Sequence, residues 1–182
     1  MKTMASIQFI NLTQGDGKFM LHLVTKLSRE LKLRKPVRFL FQDKWTELDE
    51  ETGEVVPGRE WPDVAWDGDA WGWPDSGFVR ICLSPTLQFP IVWNINYELP
   101  GQYLRQVTWF NDQMEMFVYL AAHEFRHLWQ FEHEAKLNQI CKLLQIDDEG
   151  EADIFALRIL SQYRQNPQAF AIEDIPVTRQ SH

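Results

Sequence analysis

Two of the five histidines in this chain, His123 and His127, stand four residues apart, with Glu124 directly after the first. On an α-helix, residues four apart lie about 40° apart around the axis. Both imidazoles can therefore grip one zinc ion, with Glu124 beside it as general base for metal-bound water. The chemistry implied is metal-assisted hydrolysis. A catalytic zinc ordinarily takes three protein ligands and a water, so a third ligand is needed. Two residues compete for that place. One is His133, six residues beyond His127. The other is Glu149, in Glu149-Gly150-Glu151-Ala152-Asp153.

The elements that must position these groups are legible nearby. Asn111 or Asp112 can cap a helix. Along it Met114, Phe117, Val118, Ala121, Phe125, Leu128 and Trp129 form one apolar stripe. His123 and His127 fall on the opposite side with Met116 and Leu120. A helix apolar on nearly every side is buried, and polar groups on its second face need partners. A metal is one such partner. The helix is expected to reach Glu134 or beyond, with a second helical stretch from Leu137 to Leu144. A further helix is predicted from about Glu149 to Arg164, closed by Asn166-Pro167. Glu149, Ala152, Asp153, Ala156 and Leu160 share one of its faces, and the two alanines let that face approach closely. Asp148 and Glu151 can form a capping box. Read more blandly, Glu149 is a first-turn acid that complements the helix dipole.

Upstream, a short strand is expected within residues 1–14, then a helix from Lys18 to Leu33 that carries His22 without a partner at metal spacing. Val37–Phe41 and Gly77–Ser84 read as strands. Between them, residues 43–77 hold five of the eight tryptophans, eleven acidic residues and only two basic ones, with Thr52-Gly53-Glu54 as a hairpin tip. This window reads as an acidic surface excursion pinned by its indoles, or as a flap over the cleft. The run Phe89–Ile95 either pairs with the preceding strand or lines the site. Leu99-Pro100-Gly101 turns the chain toward the metal helix.

The 182 residues suit one domain, spanning 1–170 with the acidic insertion at about 43–77; the tail 171–182 is expected to be poorly ordered. A net charge of −8 and a pI near 5.1 argue against affinity for nucleic acid or anionic membranes. Cys82 and Cys141 match no ligand motif and read as free thiols in a reducing compartment. No signal peptide and no apolar run of membrane-spanning length is visible, so the expected location is intracellular, in the cytoplasm. Oligomeric state is not indicated.

His123-Glu-x-x-His127 followed by Glu149-x-x-Ala152-Asp153 resembles the gluzincin clan of zinc metallopeptidases, over roughly residues 77–165. The resemblance implies a zincin-like α+β fold: a small mixed sheet over an active-site helix, with a C-terminal ligand-bearing helix. It implies Zn²⁺ held by His123, His127 and Glu149, with Asp153 orienting a zinc-bound histidine. It implies a peptidase with Glu124 as general base, acting on a peptide or protein substrate laid along the strand Phe78–Leu83 as upper edge. Gluzincins usually add a Tyr, His or Arg as oxyanion donor, for which Tyr97, Tyr103 and Arg158 are candidates. His133 instead has metzincin spacing, but that family places Gly where Gln130 stands and follows with a methionine turn, and no methionine occurs after Met116. Two readings of another class stand beside these. One is a zinc-stabilised interaction module that binds a partner through the acidic tryptophan-rich segment. The other is an acidic DNA-mimic.

Overall fold

The computed structural model describes residues 5–13, 17–49, 52, 54–61, 63–99 and 102–170, with side chains left out at 96–99 and 102–106. The expected turn at Pro100-Gly101 and the tail from Ala171 fall outside them.

The chain is mixed α+β. Strands β1 (Ile7–Asn11), β2 (Val37–Gln42) and β6 (Gly77–Leu83) pair in parallel, and β5 (Trp66–Gly72) closes the sheet antiparallel to β6. The order is β1-β2-β6-β5, so β6 is interior and β5 forms the edge. Every residue of β6 is buried, Arg80 included, as expected of a strand covered on both faces. The expectation that Phe78–Leu83 is the upper edge is therefore corrected: that position belongs to β5, which lies within the tryptophan-rich window. Only part of that window is an excursion. β3 (Trp45–Leu48) and β4 (Val55–Trp61) pair antiparallel as a separate two-stranded sheet, and Gly53 of the expected tip lies outside the described residues. Trp45 of β3 covers Arg80 on the outer face of β6, 3.7 Å from ring centre to guanidinium.

Helix α1 (Lys18–Leu31) connects β1 to β2. It ends two residues before the expected Leu33, because Lys32 turns left-handed at φ 55°. Helix α2 (Gln113–Glu132) lies against β5 and β6 and meets α1 and α4 (Asp148–Gln165) on its other sides. Asp112 caps it by accepting the Glu115 amide at 2.8 Å, worth about 1 kcal/mol. Phe117 and Phe125 pack on Phe39 of β2, while Ala121 and Ala122 are fully buried. Three glycines let the sheet come down onto α2. A Cβ at Gly68, Gly77 or Gly72 would lie 2.6, 2.9 or 2.8 Å from Glu124, Leu128 or Phe131.

α2 stops at Glu132 and α3 (Glu134–Leu144) starts immediately, His133 being the residue between them. α4 starts one residue earlier than expected. Its cap is Asp147, which accepts the Gly150 amide at 2.7 Å, so the Asp148–Glu151 capping box does not form. Between β6 and α2 the chain builds a two-stranded ribbon, β7 (Ile91–Leu99) and β8 (Gln102–Phe110). The run Phe89–Ile95 thus pairs with β8 rather than with β6. Among the described residues no helix is long and apolar enough to cross a membrane, and Cys82 and Cys141 are free thiols.

Candidate metal centre

The helical spacing of His123 and His127 places their rings side by side, centroids 4.7 Å apart and Nε2 atoms 3.0 Å apart. The first turn of α4 brings Glu149 to the same point. One carboxylate oxygen lies 3.3 Å from His123 Nε2 and the other 3.4 Å from His127 Nε2. One donor atom from each residue falls within 4.8 Å of the others, so this trio could hold a metal ion. Tetrahedral coordination at zinc distances of about 2.0–2.2 Å sets donor–donor edges of about 3.3–3.5 Å. The observed separations are already close to these.

Both imidazoles are turned by partners behind them. Asp153 sits 2.9 Å from His123 Nδ1, off the line of a straight hydrogen bond, and accepts the Tyr119 hydroxyl. On the other ring, His127 Nδ1–H donates to Gln130 Oε1 at 2.7 Å. Gln130 is buried, and its amide nitrogen donates to the Asp148 carbonyl at 2.8 Å and to Glu151 at 3.0 Å. Glu151 also takes Arg126, whose guanidinium lies 3.7 Å from the Trp129 ring centre. With Nδ1 engaged by protein, Nε2 of His127 is the nitrogen left to bind a metal.

The charges make the same point. Burial opposes protonation of His123, but Asp153, Glu149 and Glu124 outweigh it and carry its pKa up to about 10. His127 also moves up: burial works against it, and Glu149 is the chief opposing group. Glu149 itself is held far below the ordinary carboxylate range by hydrogen bonds from His123 and His127. A cluster that raises two imidazoles this way is built to hold positive charge. Glu124 is different in kind. It is 5% exposed and has no hydrogen bond among the described residues, and burial pushes its pKa up to about 7 despite both histidines. A carboxylate poised near neutrality suits a general base. The Gly68 backbone presses directly on it.

These groups line a cleft of about 830 Å³, walled by residues 66–70 of β5 and Trp93, Asn94 and Ile95 of β7. At one end the walls meet where Trp66 and Trp93 pack edge to face, 4.7 Å between centroids.

The structure thus brings together His123, His127, Glu149, Glu124 and Asp153, and leaves others out. His133 bonds the Trp129 carbonyl through Nδ1 at 2.9 Å and stacks on the Trp129 ring at 4.8 Å, so it is not part of the trio. α2 runs straight through Gln130, and without a turn there the chain cannot bring His133 round to His123 and His127. Arg158 ion-pairs with Glu30 of α1 at 3.0 Å and does not line the cleft. The side chains of Tyr97 and Tyr103 lie outside the described residues. Tyr119, Gly68 and Trp93 are further site residues, as is Gln130, which the sequence marks only as the position where a metzincin has glycine. Of these, Gln130 carried a usable signal, an amide one helical turn beyond a ligand histidine.

Compared with protein-family models, with curated proteins and with solved structures, the chain matches none.

Proposed function

We propose that this protein is a zinc-dependent peptidase of gluzincin type with a zincin-like fold. The observation that carries the reading is the meeting of His123, His127 and Glu149 beside a buried Glu124. The sheet edge above α2 supports it. β5 offers unpaired backbone groups along the cleft, where an extended peptide can add as a further strand.

Held by His123, His127 and Glu149, zinc would act as Lewis acid on water and on the scissile carbonyl. Glu124 accepts a proton from the attacking water, whose oxygen bonds to the carbonyl carbon. The C–N bond then breaks, and Glu124 returns the proton to the departing nitrogen, leaving a carboxylic acid and an amine. Asp153 and Gln130 keep the imidazoles oriented throughout. The test is Glu124→Gln: peptide hydrolysis should vanish while metal content and thermal stability persist. Hydrolysis that survives Glu124→Gln at the wild-type rate refutes the assignment.

A second reading is a metal-stabilised interaction module. It is favoured by Trp61, Trp71 and Trp73, all exposed around a basin of about 500 Å³ on the outer face of the sheet. It predicts partner binding that Glu124→Gln leaves intact and no hydrolysis by the wild type.

A further inference from the structure

The cleft does not stop at the metal centre. Past Phe131 it opens into a second cavity of about 760 Å³ between the end of β5 and helix α3, and Phe131 and Asp148 line both. The two spaces adjoin at Phe131 and Asp148, one after the other along β5. The combined space is asymmetric, since Trp66 and Trp93 bring its walls together at one end while the α3 end stays open.

Its charge is one-sided. Among the described residues no lysine or arginine lines the first cavity, and six carboxylates do. Among these Asp69 is matched by Arg80, and Glu149 and Asp153 face the two histidines. That leaves Asp67, Glu124 and Asp148, a surplus that one divalent ion does not cancel. The second cavity adds Glu134 and Asp147 against Lys35 alone. The Glu124 carboxylate, 5% exposed and given no hydrogen bond among the described residues, lines this space and favours a cationic ligand there.

Position follows from the glycines. Gly68 lies over Glu124 and Gly72 over Phe131, four residues further along β5. A strand paired with β5 keeps this register. With the scissile bond beside Glu124, a substrate residue three or four positions away reaches Phe131. That ring is 51% exposed and lines both cavities. An aliphatic stem can lie along it, with its cationic head toward Asp148, which also lines both cavities.

We propose that the substrate is a basic polypeptide segment, lying along β5 with a lysine or arginine three to four residues from the scissile bond on the α3 side. The inference rests on the peptidase reading, and the test separates the two. Metal-loaded protein is incubated with a randomised peptide library and the products are sequenced by mass spectrometry. In parallel, Glu124→Gln is titrated with a fluorescent Lys/Arg-containing peptide and with its Gln-substituted counterpart, by anisotropy at low and high salt.

The expected result is enrichment of Lys/Arg on one side of the cut at the third or fourth position. Binding of the basic peptide should be about tenfold tighter than its counterpart and should weaken with salt. With Asp148→Asn and Glu134→Gln combined, the ratio of cleavage rates, basic over neutral, should fall about tenfold. Cleavage without basic preference, or with enrichment on both sides, overturns the substrate proposal and leaves the peptidase reading standing. No cleavage of any peptide, with basic peptides still bound selectively, overturns the peptidase reading and keeps the two adjoining spaces as a site for basic segments. Equal binding of the two peptides overturns the proposal whatever the activity.

Discussion

Replacing Gly68 by alanine tests whether the position of Glu124 controls the reaction. The added methyl would sit 2.6 Å from one carboxylate oxygen of Glu124 and 3.0 Å from its carboxyl carbon, where ordinary contact begins at 3.4 Å. The carboxylate is the far end of a flexible side chain, so it yields and the strand does not. It must retreat by about 0.8 Å to reach ordinary contact. Misplacement on the order of 1 Å in a reacting geometry costs roughly 10²-fold, or about 2.7 kcal/mol of barrier. The three atoms nearest the new methyl all belong to Glu124 and none to His123, His127 or Glu149, so metal content should match the wild type. Stability should change by less than about 1 kcal/mol, since only a side-chain end moves. The assay is kcat on a cleaved peptide, read beside metal stoichiometry and a denaturant midpoint. A Gly68→Ala protein with full metal and kcat within twofold of wild type would refute the argument that Glu124 acts from this position.

Other consequences can be checked on the same protein. Gln130→Met removes the acceptor behind His127 while keeping volume, and metal affinity measured against a competing chelator should fall about 10–100-fold. Arg80→Met strands Asp69 and strips the guanidinium from Trp45; urea denaturation should show a loss of about 3 kcal/mol, as when one partner of a buried pair is removed. Glu115 is pushed up by burial but brought below its ordinary value by Arg164 and Asn111. A depressed carboxylate stabilises the fold above its unfolded pKa and loses that contribution as pH falls through the folded one. Denaturation between pH 7 and pH 3 should show a stability drop below about pH 4.5, and Glu115→Gln should be less stable at pH 7 and flatter in that range.

What could be read from the sequence was what local spacing encodes. His123 and His127 share a helix, so four residues of separation fix their geometry. Glu149 and Asp153 repeat that spacing on α4. The apolar stripe of α2 and the run Phe78–Leu83 of β6 are likewise signals carried by neighbours in the chain. β5 was hidden because its inward residues, Gly68, Ala70 and Gly72, are small where α2 presses against the sheet. Size alternation, which usually marks a strand, is absent when the helix lies that close. The edge strand was thus folded into the acidic excursion, and β6 took its role. β8 is not legible because its burial pattern runs against hydropathy: polar Thr108 is buried beside Phe110, while apolar Val107 and Trp109 stay exposed. Gln130 was weighed only as the place where a metzincin would have glycine. Its bond to His127 became visible once α4 supplied Asp148 and Glu151 to hold its other end.

Elemental analysis of the wild type, Glu149→Ala and His133→Ala, each purified without added metal and then loaded with zinc, tests the central claim most directly. One zinc per chain in the wild type and in His133→Ala, lost in Glu149→Ala while circular dichroism is unchanged, is the result expected. No zinc in the loaded wild type, or zinc that depends on His133 and not on Glu149, would contradict it.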